Sequence, residues 1–502
     1  MSKRVCGIKK FLLLFVIFAV VATATTFLIM FITKTGVFRI PGKVIYDESL
    51  NEVEISKLQS IFTKEVDLDK DVTISATETL EKPDLKTGEF LLNIYVPVTD
   101  FYSTETSIDS AEYFINGEIK HCNCGVTWKE FDELNFSETL LAIDGKYYLD
   151  TLSEGAAYRY ITFKSEAYDK EIAPLVEGVY TKTFPEKDEI LTFAQTGVTA
   201  LSRGMDTKLR QVGMDATYFA KNIGEYLSSF DLTHTSNESS FASGTWTRKI
   251  CSEPSFINTL TAIGLDIVEL TGNHNNDCGY DAARDTASKY LELGMKIVGG
   301  GRNAEEAAQP LEIEQKGTNI TMLAYNQSTG GATYGSLPGA NQYYESDAAA
   351  RIAAAKAKGD FVIVDVQYYE CNNYDTTYEN TACDYANSSA GDQVGLFRHL
   401  IDLGADVVVG TAAHQPQTFE LYGNGVIYYG LGNLFFDQIW WPGTTRSLIL
   451  SHYFYNGKLL QTKIVPTVYD NSMQTKLMDE ETAKWYLERL AKVRPSWSFF
   501  SS

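Results

Sequence analysis

Leu265-Asp266-Ile267-Val268-Glu269-Leu270-Thr271-Gly272-Asn273-His274-Asn275-Asn276-Asp277 decides how this chain is read. An apolar run of strand type ends abruptly in Thr-Gly-Asn-His. That order places a polar cluster at the carboxyl end of a buried strand, where open α/β sheets bind their ligands. Gly272 lets the backbone turn, and Asn273 and His274 offer a neutral oxygen donor and an imidazole. A turn whose polar side chains only cap the next helix accounts for the same residues.

Working outward, strand and helix patterns alternate from about residue 188. Strands are expected over 189–198, 265–271, 296–301, 319–325, 361–367, 406–410 and 425–429. Helices are expected over 258–263, 281–293, 347–358, 394–403 and 478–492. Residues 447–455 and 459–465 read as a hairpin around Asn456-Gly457. Repeated strand–helix–strand units imply a largely parallel core sheet covered by helices. The preceding stretch also reads as α/β, with strands at 90–98, 140–145 and 158–163, but it carries no interpretable motif. His121-Cys122-Asn123-Cys124-Gly125 is a poor metal site, because cysteines one residue apart do not easily share a tetrahedral ion.

The totals limit the function. Across 502 residues, hydrophobic content is 44% and charged content 22%, which are globular values with room for several domains. The formal charge of −22 argues against nucleic acid, whose phosphates require a basic face. Lys3, Arg4, Lys9 and Lys10 precede an uncharged run from Phe11 to Ile32. At 1.5 Å per residue that run reaches roughly 33 Å, enough to cross a bilayer core. Its cationic flank predicts a cytosolic N-terminus with the rest outside. A cleaved signal peptide is the rival, but the apolar residues continue past the small-residue stretch Ala22-Thr23-Ala24.

Of seven cysteines, six then lie on the exported side, where disulfides persist. Sequence proximity suggests Cys371 with Cys383 and Cys251 with Cys278.

Further polar clusters fall at the ends of the expected strands. Thr196-Gly197-Val198 runs on to Arg203-Gly204, and Asn237-Glu238-Ser239 follows Leu232. Gln367-Tyr368-Tyr369-Glu370 closes the central strand. Gly410-Thr411-Ala412-Ala413-His414 closes the next, and Tyr429-Gly430-Leu431-Gly432-Asn433 continues to Asp437-Gln438. Trp440, Trp441 and Pro442 stand beside Asp437, as a lining for a sugar or polymer would. Arg203 could clamp a carboxylate or phosphate through its planar fork, or form an ordinary salt bridge. His121, His234, His399 and His452 lie outside these clusters and are expected as surface or satisfied core histidines.

This order of motifs resembles the CapA family of capsule-synthesis, or poly-γ-glutamate biosynthesis, proteins, which is similar in fold to calcineurin-type metallophosphoesterases. The resemblance rests on the segment Gly264 to Gly279, on Asp406 to His414 with Tyr429 to Gln438, and on Gly299-Gly300-Gly301-Arg302-Asn303 with Glu306-Ala307. It implies a metallophosphoesterase-like layered α/β domain over 188–470. Before it come a basic tail (1–10), a transmembrane anchor (11–32) and a smaller α/β accessory domain (33–187). A C-terminal helix and tail (471–502) follow it.

For the site, the resemblance implies Asn273, His274, His414 and Gln367 as ligands of a divalent metal (Mn, Zn or Fe). His274, His414, Glu370 and Glu238 would be catalytic, and Arg203, Asn433, Asp437 and Gln438 would bind substrate. The family's Gly-Asp after the first strand is Gly197-Val198 here, its central-strand His is Gln367, and its Gly-His-His-Pro-His is Gly-Thr-Ala-Ala-His. The surviving groups are compatible with one metal ion or with a metal-free polar pocket. Two function classes therefore stay open. One is a membrane-anchored hydrolase or transferase acting on a surface polymer. The other is a non-catalytic module that binds an anionic polymer or glycan. The implied partners are the cell membrane, that polymer, and a membrane polymer-synthase complex.

Overall fold

The computed structural model describes residues 42–63, 66–120, 125–244, 249–328, 330–368 and 393–494. The run Phe11–Ile32, His121, the Cys122/Cys124 pair, Glu370, Cys371 and Cys383 lie outside these residues. Among the described residues no helix is long and apolar enough to cross a membrane.

The chain divides into two compact units. The smaller contains residues 1–95, 115–119 and 157–184; the larger contains 96–114, 120–156 and 185–502. The segment 33–187 is therefore shared between the two.

In the smaller unit, Val72–Thr79 pairs parallel with Val44–Tyr46 and antiparallel with Ala157–Lys164. The helix Glu52–Ile61 is capped reciprocally by Asn51 and Glu54. Its Leu58 packs into a core with Val72, Ile74, Ile161 and Phe163. Arg159 is buried here and donates to Glu54 at 2.6 Å and to Glu78 at 2.9 Å, so its charge is compensated twice.

The larger unit is built on two large sheets, with small two-stranded ones beside them, rather than on the single parallel sheet expected from the strand–helix alternation. In the eight-stranded sheet, Lys296–Val298, Ile267–Glu269, Leu232–Asn237 and Ile190–Thr199 lie side by side and parallel. Asn433–Phe435 also pairs with Ile190–Thr199 in parallel. Arg446–Tyr455 and Lys458–Val468 extend this sheet antiparallel, as a hairpin. Asn456 and Gly457 form its turn with φ of 50° and 76°, the positive angles a tight hairpin turn demands.

The six-stranded sheet has Thr318–Asn326, Phe361–Gln367, Val407–Gly410 and Gly425–Tyr428 parallel in its middle. Antiparallel strands Leu311–Gln315 and Phe419–Tyr422 close its edges. The alternation of strands and helices is the same for one sheet or two. Only strand pairing decides, and pairing is non-local.

The sheets pack face to face. Leu191, Phe193, Leu232 and Ile267 from one meet Ile320, Met322, Ile363 and Val409 from the other in a single core. Helices cover both outer faces. Met205, Leu209, Leu260, Ala287 and Tyr290 pack on the eight-stranded sheet, and Ala348, Ile352, Phe397 and Leu400 on the six-stranded sheet. The result is a four-layer α/β/β/α arrangement. All four central parallel strands of each sheet thus end on their own carboxyl edge.

Cys251 and Cys278 form a disulfide, with Cα atoms 5.9 Å apart and a sequence separation of 27. It ties the end of the Asn273–Cys278 turn to a neighbouring short strand. By loop-closure entropy such a link contributes roughly 3–4 kcal/mol. Cys278→Ser should therefore lower the free energy of unfolding by about that amount in denaturant titration, and a change under about 0.5 kcal/mol would show that the closed loop adds nothing.

Candidate functional site

The site begins with Glu238, the residue just past the strand Leu232–Asn237, and Asn273, just past Ile267–Glu269. Gln367 ends the facing strand of the other sheet. Its Nε2 donates to Glu238 Oε1 at 3.1 Å and to Asn273 Oδ1 at 3.3 Å, joining the two sheets at their carboxyl ends. Glu238 is buried, at 1% exposure.

The glycine of the motif serves close approach. A Cβ on Gly272 would lie 2.7 Å from Glu238 Cα, so any larger residue would push the two strand ends apart. Asn326 Nδ2 donates to the carbonyls of Thr271 at 2.6 Å and Gly330 at 3.0 Å, which holds the turn from the second sheet.

Both motif histidines have one ring nitrogen already engaged. His274 Nδ1 lies 3.1 Å from Asp277 Oδ2, and His414 Nδ1 lies 2.8 Å from Asn433 Oδ1. Groups that hold Nδ1 fix the tautomer and leave Nε2 for chemistry. His414 also packs on Phe436, with centroids 5.1 Å apart. Asn433 is oriented in turn by donating to Thr444 O at 3.0 Å and Gln438 Oε1 at 3.4 Å.

Burial alone would lower the His274 imidazole, and the His414 charge acts in the same direction. The hydrogen bond to Asp277 and the charges of Glu238 and Asp277 outweigh both, so it titrates above the ordinary histidine value. These interactions put His274, His414 and Glu238 within electrostatic reach of one another. The carboxylate and amide oxygen that Gln367 holds together, with imidazoles nearby, are donor types suited to a hard or borderline divalent ion, but Glu238, His274 and His414 do not bring one donor atom each within 4.8 Å of one another.

The residues expected to bind substrate are engaged within the protein. Arg203 Nη2 donates to Asp437 Oδ1 at 2.5 Å, and its guanidinium lies 4.6 Å from the Phe436 ring centroid. Asp437 Oδ2 also accepts from Gly204 N at 2.8 Å, at the start of the helix Gly204–Gln211. Arg203 holds a φ of 52°, which these contacts stabilise against its intrinsic cost. Asn433 and Gln438 meet each other and His414 as described. Trp440 and Trp441 are edge-to-face at 6.3 Å and at the surface. Val198 is buried with Ala200, Ile250 and Phe436, so an apolar side chain occupies the first-strand end.

One set of residues was missed by reading strand ends alone. His234, Glu269 and Asp365 lie within the strands, fully buried, on the same faces as Glu238, Thr271 and Gln367 but two to four residues earlier. Their donor atoms all fall within 4.8 Å of one another, and among the described residues no other set of three His, Cys, Asp or Glu does so. Burial, and then the Asp365 charge, push the Glu269 carboxyl up to about 8. His452 is also buried, bonded through Nδ1 to Thr462 Oγ1 at 2.8 Å and through Nε2 to Gln195 Oε1 at 3.2 Å. Burial, then the His234 charge, lower it to about 3. His399 is half-exposed beside Glu345. The satisfied-core expectation thus fits His452 but not His234, whose two ring nitrogens are buried without a hydrogen bond.

Residues 192–438 match the family model described as "Bacterial capsule synthesis protein PGA_cap". The chain thus carries a capsule-synthesis domain of that family. Among its relatives is "Capsule biosynthesis protein CapA" of Bacillus anthracis, 22% identical over 328 residues, covering 62% of this chain and 76% of that protein. "PGA biosynthesis protein CapA" of Bacillus subtilis (strain 168) is 26% identical over 208 residues, covering 40% of this chain and half of that protein. Solved structures with slight likeness include Haemophilus influenzae NAD nucleotidase, with a TM-score of 0.29 and 12% identity, covering 60% of this chain and 56% of that chain. A purple acid phosphatase from yellow lupin has a TM-score of 0.26 and 8% identity, covering 80% and 75%.

The His274–Asp277 pair gives a pH prediction for metal-free protein. A raised histidine contributes its full stabilisation below about pH 6.5 and loses it as pH rises through the folded value. Burial alone would raise Asp277, but the His274 hydrogen bond and charge leave it lowered. Its contribution is present above about pH 4 and is lost as pH falls through the lowered value. Both side chains are about a third exposed, so the pair is worth less than about 1 kcal/mol. Asp277→Asn should cost most stability between roughly pH 4 and 6.5, and little near pH 9. Equal losses at both ends would show that the pair does not titrate together.

Proposed function

We propose that this protein acts on a capsule-like anionic surface polymer of the poly-γ-glutamate type, hydrolysing or transferring one of its bonds at the strand-end site. The observation that carries this reading is the junction of Glu238, Asn273 and Gln367, with His274 in electrostatic reach of Glu238 and of His414 and each imidazole already held at Nδ1. Such groups suit proton transfer at a scissile amide or ester: a carboxylate can take a proton from an attacking hydroxyl, and an imidazole can give one to the leaving group.

A divalent ion of the Mn, Zn or Fe class would be held by Glu238 and Asn273 with one of the two imidazoles, His274 or His414, and would polarise the scissile bond and acidify a water. Gln367 would act differently, because its amide nitrogen already links Glu238 to Asn273. Glu370 remains a candidate base on sequence grounds. Membrane anchoring through residues 11–32, with the two units outside the cytosol, fits a role at a surface polymer beside a synthase complex. Added protease should then digest the large unit in intact spheroplasts, and full protection would reject that orientation.

One observation favours the non-catalytic reading. Val198 sits in an apolar cluster where a carboxylate would be needed to bridge a second ion. The test is turnover of a defined poly-γ-glutamate by the purified full chain. His274→Ala and His414→Ala should each reduce it by about 10²- to 10⁴-fold. The double variant should lose little beyond either single variant, because the two act as a unit. Unchanged polymer binding, with no turnover in the wild type under any metal, would move the assignment to a binding module.

A further inference from the structure

The inner face of the sandwich changes character along single strands. Leu232, His234, Ser236 and Glu238 follow one another at period two, as do Ile267, Glu269, Thr271 and Asn273, and, from the opposite sheet, Ile363, Asp365 and Gln367. The first members are apolar core. The last members form the strand-end site. The middle members, His234, Glu269 and Asp365, are each 0% exposed and have no place in that chemistry.

Three features of this middle layer point to a ligand. Each carboxylate has one oxygen engaged: Thr271 N donates to Glu269 Oε1 at 2.9 Å, and Gln195 Nε2 donates to Asp365 Oδ1 at 2.6 Å. The other oxygens, Glu269 Oε2 and Asp365 Oδ2, are buried without a well-aligned hydrogen bond, as are both nitrogens of His234; the Ser236 hydroxyl lies close enough to the Glu269 carboxyl to favour its charged form. These atoms face one another, with His234 Nε2 at 3.3 Å from Asp365 Oδ2. A buried group left unpaired costs several kcal/mol, so something must satisfy this cluster.

A shared proton would draw two carboxyl oxygens to about 2.5–2.7 Å. Instead the two carboxyl groups make no hydrogen bond to each other. A separation near 3.3 Å is the edge of a tetrahedron whose centre lies about 2.0–2.1 Å from each donor, the distance at which zinc binds nitrogen and carboxylate oxygen. The outer groups that pin Glu269 Oε1 and Asp365 Oδ1 aim the remaining oxygens, as supporting shells do around metals.

We propose that His234, Glu269 and Asp365 form a closed site for one zinc-class divalent ion, with Ser236 beside it. His234 and Glu269 come from the eight-stranded sheet and Asp365 from the six-stranded sheet, so the ion cross-links the two layers. Because each ligand is two or four residues before Glu238, Thr271, Asn273 or Gln367 on the same strand, the ion also sets the spacing of the strand-end site. Its role is structural, since no ligand reaches solvent. This site is distinct from any ion held by Glu238 and Asn273 with His274 or His414.

The experiment uses the purified full chain in detergent, stripped with chelator, exposed to Zn²⁺ alone and desalted, with metal counted by mass spectrometry. His274→Ala/His414→Ala should retain one equivalent, and Asp365→Asn in that background should lose it. Gln195→Met, which removes the donor to Asp365 Oδ1 together with the contact to His452 Nε2, should weaken zinc affinity by about 10- to 100-fold. Co²⁺ in place of zinc in the His274→Ala/His414→Ala protein should give the intense visible absorption of a four-coordinate site. That measurement stands even if Asp365→Asn does not fold. Absence of tightly held zinc in the His274→Ala/His414→Ala protein, or a weak six-coordinate cobalt spectrum, would overturn the proposal. Absence of polymer turnover by the wild-type chain, with zinc retained in the His274→Ala/His414→Ala protein, would count against the proposed function and leave the buried site intact.

Discussion

The structure depends on how the inner faces of its two sheets meet. Near the amino ends of the strands the contact is dry: Leu232 and Ile267 face Ile320 and Ile363. That apolar layer makes face-to-face packing favourable, at roughly 25 cal/mol per Å² removed from water. Two residues further along the same strands the side chains become polar while staying buried. The sheets cannot separate there without breaking the core below, so the polar groups must satisfy one another or bind something. The layer of His234, Glu269 and Asp365 and the layer of Glu238, Asn273 and Gln367 are both consequences of that constraint.

The site's precision follows from the same packing. Gly272 allows the Glu238 backbone to approach to within van der Waals distance. Gln367 bridges the two sheets, Asn433 holds His414, and Asp277 holds His274. Glu238, Asn273 and His414 are each supported by a residue on a different strand or loop, so their geometry is set by the sandwich, whereas His274 is held by Asp277 within its own turn. Arg203 and Asp437 belong to this support. Their ion pair anchors the start of a helix and the loop after Asn433.

The disulfide Cys251–Cys278 fits the same logic from outside. It closes the turn that carries Asn273, His274 and Asp277, which leaves the sheet after only three strand residues. A short strand followed by a long polar turn has few backbone hydrogen bonds of its own, and a covalent tie restricts its alternatives.

Much was legible in the sequence because it is local. Apolar periodicity marked Phe361–Gln367 and Val407–Gly410 as buried strands, the Asn456-Gly457 turn announced its hairpin, and proximity paired Cys251 with Cys278. The motifs Thr-Gly-Asn-His and Ala-His located two strand ends. Period two also placed His234 on the same face as Leu232, and Asp365 on the same face as Ile363, a signal readable once those strands are taken as buried. What the sequence could not contain is which face opposes which. Whether Asp365 meets His234 and Glu269, or a helix, depends on the division into two sheets, and strand pairing is decided between residues tens to hundreds of positions apart. That Arg203 turns to Asp437, and that Gln367 links Glu238 to Asn273, are decided at the same non-local level, because side-chain partners follow from the closed sandwich and not from any single strand.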